Sequence, residues 1–139
     1  MATRGEQLED WMPYGHDSTK KEKNTLRVSL ANIGGFPMCA NDEKNDAIRQ
    51  FVNDNKIDVS LWTETDKHWQ SLAFKDRLPT RTAGWFEALH MTTAYYQSYP
   101  GAMKQQFGGV SLWSTSQSTY HIKDSGLDLA SGVDWFGLG

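Results

Sequence analysis

A chain of 139 residues with 38% apolar side chains and six tryptophans is long enough for one domain with a real core and too short for two ordinary ones. A formal net charge of −3 excludes bulk attraction to nucleic acid or anionic lipid and leaves a local basic patch as the route to such a partner. Cys39 is the single cysteine, which excludes an internal disulfide and a cysteine-rich zinc site, and no stretch has the apolar length of a signal peptide or a membrane span. A soluble, intracellular protein is expected, with nucleus and cytoplasm both open.

Residues 1–24 mix opposite charges without an apolar period and end in Lys20-Lys21-Glu22-Lys23-Asn24. They predict a flexible, solvated polar leader whose Trp11 and Tyr14 offer rings for docking onto the body; the domain itself is expected over 25–139. From Leu26 the pattern turns to strict alternation. Leu26, Val28 and Leu30 take one side and Arg27, Ser29 and Ala31 the other, as in a half-buried strand, and the run ends at Asn32. Ile33-Gly34-Gly35-Phe36-Pro37 stops it, because glycine accepts backbone angles that other residues resist and Pro37 cannot donate to a ladder.

Asn41 or Asp42 can cap the helix that follows. Ala47, Ile48, Phe51 and Val52 form its apolar stripe, Asn45, Asp46, Gln50 and Asn53 face away, and Asn53-Asp54-Asn55 closes it, since asparagine tolerates left-handed geometry. Ile57, Val59 and Leu61 then open a second strand that runs through Trp62-Thr63 to Glu64. A strand, helix and strand this closely linked predict a right-handed parallel crossover. It sets Asn32 and Glu64 at equivalent strand ends, the edge where ligands sit in open α/β sheets.

Beyond Glu64, residues 66–75 predict a short helix with Trp69, Leu72 and Ala73 inward, ended by Leu78-Pro79. Residues 85–96 have the aromatic and threonine content of a strand, followed by a turn at Tyr99-Pro100-Gly101. Residues 110–114 and 118–122 read as a hairpin with Thr115-Ser116-Gln117 at its tip. After His121 the chain is glycine-rich and acidic, with no capping element expected. Trp62, Trp85, Trp113 and Trp135 are expected in the core rather than as stacking platforms for bases.

Three segments carry a resemblance to a known family. Leu26-Arg27-Val28-Ser29-Leu30-Ala31-Asn32 with Gly34-Gly35 resembles an opening strand and its asparagine–x–x–glycine turn. Ile57-Asp58-Val59-Ser60-Leu61-Trp62-Thr63-Glu64-Thr65 resembles a strand ending in a metal-binding glutamate. Phe107-Gly108-Gly109-Val110-Ser111-Leu112-Trp113 resembles the Gly-Gly-Val strand that follows. In this order, over about 25–122, they are similar to the N-terminal half of the endonuclease/exonuclease/phosphatase superfamily. That group includes deoxyribonucleases, abasic-site endonucleases, sphingomyelinases, inositol polyphosphate phosphatases and the endonuclease domains of non-LTR retrotransposons, whose flavour the Thr-Glu-Thr motif shares.

The resemblance implies an α+β fold, the N-terminal half of a DNase-like two-sheet α/β sandwich opening with the strand–helix–strand unit. It implies Mg²⁺- or Mn²⁺-dependent hydrolysis of a phosphoester, with nucleic acid the favoured substrate. It gives Glu64 the role of catalytic metal ligand and Asn32 that of orienting ligands or phosphate beside it.

The departures carry equal weight. Gly34 stands where many nucleases of the family have an acidic residue, and the later Asp-x-Asn, aspartate and terminal Asp-His motifs have no counterpart. The only adjacent pair, His16-Asp17, is reversed and in the leader. Magnesium keeps several waters and manages with one or two carboxylates, yet hydrolysis also requires a group to take a proton from the attacking water. Weak cation binding and negligible turnover are therefore expected. The rival reading is an inactive fragment or relic acting at most as a binding or interaction module.

Each candidate also has an ordinary explanation. Glu64 serves equally as a solvated carboxylate at a strand end, and Asn32 as a turn former whose side chain bonds the backbone two residues on. Lys67, Lys75, Arg77 and Arg81 suggest either a positive loop for a phosphate backbone or a mixed surface helix. His68, His90 and His121 are read as packed or surface imidazoles, without zinc-site spacing. Half a sandwich would leave a sheet face and strand edges uncovered, which predicts poor solubility or self-association.

Overall fold

Asp42 starts the first helix of the computed structural model by accepting a hydrogen bond from the N–H of Lys44 at 2.9 Å, the geometry of an N-cap. The structure describes residues 20–96, 104–128 and 133–138. Residues 1–19, with Trp11, Tyr14 and the His16-Asp17 pair, lie outside the described residues, as do the turn at Tyr99-Pro100-Gly101 and the side chain of Trp135. Strand β1 (Val28–Asn32), helix α1 (Glu43–Asp54) and strand β2 (Val59–Thr63) follow in turn, and β1 and β2 pair in parallel with Asn32 beside Thr63. Asn55 stops α1 with a right-handed backbone; the left-handed residue is Lys56, at φ 49°.

Strand β3 (His90–Ala94) and strand β4 (Val110–Ser114) complete a four-stranded sheet in the order β1-β2-β4-β3, with β4 antiparallel to both neighbours. Strands β5 (Ile122–Asp128) and β6 (Val133–Leu138) form a separate antiparallel pair that approaches β3 and β4. The architecture is a small mixed α+β domain with one open, partly mixed sheet and interspersed helices. No helix among the described residues is long and apolar enough to cross a membrane.

The alternation of β1 is present, but its faces are the reverse of those expected. Leu26, Val28 and Leu30 are 54%, 65% and 71% exposed, while Ala31 and Ile33 pack against the core. The reason lies in the neighbouring strands. Pairing register places Ser29, Ser60, Trp113 and Met91 in one row of the covered face and Ala31, Trp62, Ser111 and Thr93 in the next. Small residues beside two indoles let Trp62 and Trp113 lie 5.4 Å apart between sheet and helix, where Ile48 and Val52 of α1 meet them. Trp113 donates to Ser111 Oγ at 2.7 Å, so its indole N–H is satisfied in the core. The face that looks polar in composition is the one that accommodates the aromatic core.

Several later elements also depart from expectation. Residues 66–75 form two 3₁₀ turns, Trp69–Ser71 and Phe74–Asp76, rather than one helix. Trp69 and Leu72 are buried as expected, and Ala73 is exposed. Leu78-Pro79 opens the one-turn helix α2 (Leu78–Arg81), because proline costs nothing in a first turn whose N–H groups have no partner. Residues 110–114 and 118–122 do not form a hairpin. Ser116 caps a 3₁₀ turn over Gln117–His121 by accepting from the N–H of Ser118, and Ser114 bonds Thr119. These short hydroxyl bonds win over strand pairing. The glycine-rich stretch after His121 forms β5 and β6 instead of an uncapped tail. The run 20–24 is not wholly solvated either, since the Lys21 ammonium grips the buried Asp58 carboxylate at 2.5 Å.

The loop between β1 and α1 is held by side chains. Arg81, 5% exposed, donates to the carbonyl oxygens of Pro37, Met38 and Asp76 and to Asn45 Oδ1, with its guanidinium 5.4 Å over the Trp69 ring. Asn45, expected on the solvent face of α1, is 1% exposed and donates to the carbonyls of Cys39 and Ala40. Lys44 Nζ donates to those of Ile33 and Gly35. Burial lowers the Arg81 pKa below its ordinary value, with Asp76, Cys39 and Asp42 pulling the other way.

Replacing Arg81 with alanine removes the donor from the part-buried carbonyls of Pro37, Met38 and Asp76 and is expected to cost about 3 kcal/mol in chemical denaturation. Lysine should recover only part of it, because one ammonium cannot reproduce the planar fork. Burial raises the pKa of Asp58, but Lys21, Ser116 and the Arg27 N–H more than offset it, so its folded value lies below the ordinary one. The stabilisation is therefore present above the unfolded pKa of about 3.9 and lost as pH falls through the folded value. Denaturation of Asp58→Asn against pH should show a deficit of about 1–2 kcal/mol near neutrality that shrinks below about pH 4.

Candidate functional site

The polar rim of the sheet is built where β1 and β2 end and β4 begins. Gly35 donates its N–H to the Glu64 carbonyl at 2.8 Å and Phe36 to that of Thr65 at 3.0 Å, so the turn after β1 lies directly against the segment after β2. On its other side the same segment joins the chain leading into β4. The N–H groups of Thr65 and Asp66 donate to the carbonyls of Gly109 and Gly108, that of His68 donates to Lys104, and Gln106 returns a bond to the Asp66 carbonyl. Asp66 Oδ1 accepts the Gly108 N–H at 2.8 Å. Residues 64–68 are thus held from both flanks.

This clamping imposes unusual backbone angles. Glu64 and Asp66 have φ of 53° and 56°, a region that side chains other than glycine, asparagine and aspartate rarely enter. Such strain persists only where surrounding bonds over-determine it. Glu64 is exposed, and its carboxylate has no hydrogen-bond or ion-pair partner among the described residues. Asn32 is also exposed, one strand away at the same rim. Its Oδ1 accepts the Gly34 N–H at 2.9 Å, the turn-forming bond that its position after a strand favours.

The structure therefore brings the two sequence-predicted residues to one rim by backbone placement. One of them already spends its carbonyl oxygen on a turn. No group of three or more histidine, cysteine, aspartate or glutamate side chains placed to hold a metal occurs among the described residues. Asp66, the carboxylate nearest Glu64 in sequence, is nearly buried and turned to Gly108. The donor set at the rim thus amounts to one free carboxylate and one amide. One carboxylate and one amide do not make a closed cation cage.

The positive loop expected after Glu64 is mostly committed to the interior. Lys67, 4% exposed, donates to Gln105 Oε1 at 2.9 Å and lies beside Asp66. Burial pushes its ammonium pKa down, nearby Arg81 and Lys44 add to that, and Asp66 opposes it. Arg77 donates to the carbonyls of Leu72 and Gln70, and Arg81 clamps the β1–α1 loop; only Lys75 is exposed. Neither the phosphate-contacting loop nor the mixed surface helix is found. His68 is buried, with Nδ1 2.5 Å from Ser71 Oγ and its ring edge-on to Tyr95 at 5.5 Å. Two clefts of about 260 and 270 Å³ exist elsewhere, one near Lys21 and Ile57 and one between Trp69 and Tyr95; neither is lined by Asn32 or Glu64.

What the sequence reading missed is the support: Lys44, Asp66, Lys67, Arg81 and Gln105. Their polarity suggested the surface, and nothing in their spacing marks Lys44, Lys67 and Arg81 as donors to backbone carbonyls, Asp66 as the acceptor of the Gly108 N–H or Gln105 as the acceptor from Lys67. The doublet Gly108-Gly109 was the available signal. Both residues have left-handed φ, 89° and 87°. A Cβ on Gly109 would stand 2.5 Å from Thr65 Oγ1 and 3.3 Å from the Ala94 carbonyl, whereas one on Gly108 meets nothing within 4 Å. Gly109→Ala is therefore expected to destabilise by about 2–3 kcal/mol, against about 1 kcal/mol for Gly108→Ala, where only the backbone angle is penalised. Thermal denaturation of the two variants measures the difference.

No family model, curated protein or solved structure matches this chain. The likeness to endonuclease/exonuclease/phosphatase domains rests on the three short motifs alone.

Proposed function

We propose that the chain carries the cation-holding rim of a Mg²⁺-dependent phosphodiester hydrolase of the endonuclease/exonuclease/phosphatase type, arranged as part of a DNase-like sandwich. The observation that supports this most is Glu64: an unpartnered carboxylate on a strained, doubly clamped backbone beside Asn32 at the ends of two parallel strands. Strain held in place by bonds on both flanks is how a protein fixes a ligand before the ligand arrives. A hydrated Mg²⁺ or Mn²⁺ seated on Glu64, with the Asn32 amide nearby, would neutralise phosphate oxygens of a nucleic-acid backbone.

Among the described residues, the proton-transfer half of the chemistry has no counterpart at this rim. His68 is enclosed against Ser71 and Tyr95, and the free histidine nearest the sheet's end in sequence, His121, follows the opposite ends of the strands. The chain alone is accordingly assigned cation and phosphate binding with negligible turnover. A non-catalytic interaction module is the second reading, favoured by the exposed apolar side chains of β1.

Titration of the full chain with Mn²⁺, followed by calorimetry or paramagnetic broadening, is expected to show weak saturable binding. Glu64→Ala should lose it with an unchanged thermal transition, and Glu64→Gln should lose most of it. Equal binding by wild type and Glu64→Ala would remove Glu64 from any cation site. Cleavage of an oligonucleotide by the wild-type chain, abolished in Glu64→Ala, would establish turnover that the rim's chemistry does not anticipate.

A further inference from the structure

Strand β1 is an edge strand. The Arg27 carbonyl accepts from Asp58 and Val59 and the Ile33 N–H donates to Thr63, so odd-numbered residues of β1 face β2. The N–H and C=O groups of Val28 and Leu30 therefore project from the open edge. Above that edge the same two residues present side chains 65% and 71% exposed. They begin an outer-face row that continues, by register, from Leu30 to Leu61 and Leu112, and from Val28 to Val59. Edge strands are ordinarily protected by a charge, a proline or a bulge. Val28–Asn32 contains no charge, proline or bulge.

We propose that this edge pairs with β1 of a second copy of the chain, antiparallel and about a two-fold axis through Leu30, giving one continuous sheet across two protomers. Two observations select this occupant and orientation. Pairing about Leu30 sets Leu30 opposite Leu30 and Val28 opposite Asn32, so one apolar pair meets at the centre of the seam and the outward backbone groups of Val28, Leu30 and Asn32 gain partners. The charges at the two ends of the strand are also complementary. Lys20, Lys23, Arg27 and Lys56 flank the start of β1 with Glu22 and Asp54 among them, and Asp42, Glu43, Asp46 and Glu64 flank its end with Lys44 among them, so the first end is net positive and the second net negative. Antiparallel pairing brings the cationic end of one copy against the acidic end of the other, and parallel pairing would set like against like.

A two-fold edge interface is closed: once β1 is paired, neither copy offers it again. The assembly stops at two, unlike stacking through apolar faces, which has no natural end.

Sedimentation velocity of the full 139-residue chain from low to high micromolar concentration tests this. A monomer–dimer equilibrium that weakens with added salt is expected. Leu30→Lys, which changes an exposed side chain, should weaken the dimer at least about tenfold, equivalent to about 1.4 kcal/mol, without shifting the thermal transition. Val28→Lys should do the same and serves if the first variant does not fold. Amide exchange at Val28, Leu30 and Asn32 of the wild type should slow as concentration rises. A monomer at every concentration, a dimer unaffected by both lysines, or growth past two copies would each overturn the proposal.

Discussion

Cations holding backbone carbonyls, buried Arg81 and half-buried Lys44, are the constraint on which the rest of this structure depends. The chain between β1 and α1 sends Phe36 into the core and leaves Met38, Cys39 and Ala40 exposed, and side-chain donors meet its carbonyls along the way. Arg81 and Lys44, with the Asn45 amide, collect the oxygens of Ile33, Gly35, Pro37, Met38, Cys39 and Ala40. Donors of this kind satisfy groups that would otherwise cost more than a hydrogen bond returns. With the loop fixed, Phe36 enters the core against Trp69 and Trp113, and Gly35 and Phe36 lock the segment after β2. The position of Glu64 is a result of that arrangement two steps removed.

The parts of the fold legible in the sequence are those governed by local pattern. Of the expected helical stripe Ile48 and Val52 are buried while Ala47 and Phe51 are exposed, and those two, the Asp42 cap and the parallel β1–β2 pair follow from spacing within about thirty residues. What the pattern could not settle is which face of β1 is covered. Alternation identifies two faces, and the choice between them was made by Trp62 and Trp113 on other strands, which need small neighbours rather than leucines. The same limit explains Asn45: polar by type, it is buried because Arg81, thirty-six positions away, requires an acceptor there. Serine and threonine hydroxyls after β4 bonded locally and turned an expected strand into a 3₁₀ turn, a choice residue propensity alone does not resolve.

At the rim, the residue types were readable and their availability was not. Asn32 and Glu64 stand together at adjacent parallel strand ends, as the spacing suggested, but the Asn32 carbonyl oxygen is occupied by Gly34. Lys67 and Arg81 looked like surface cations and prove to be interior struts. The rim is thus rigid and, among the described residues, carries no group of three or more metal-ligating side chains.

The double clamp on residues 64–68 also bears on the order in which the molecule assembles. Its bonds join Asp66 to Gly108, forty-two positions away, while β1 and β2 pair residues thirty-one positions apart. Closing a long loop costs more chain entropy and is repaid only once both ends are in place, so contacts of high sequence separation tend to form late. The Asp66–Gly108 side of the clamp closes with the pairing of β2 and β4, in which Thr63 meets Val110, so a chain that has paired only β1 and β2 holds the Glu64 carbonyl through Gly35 and leaves the other flank open.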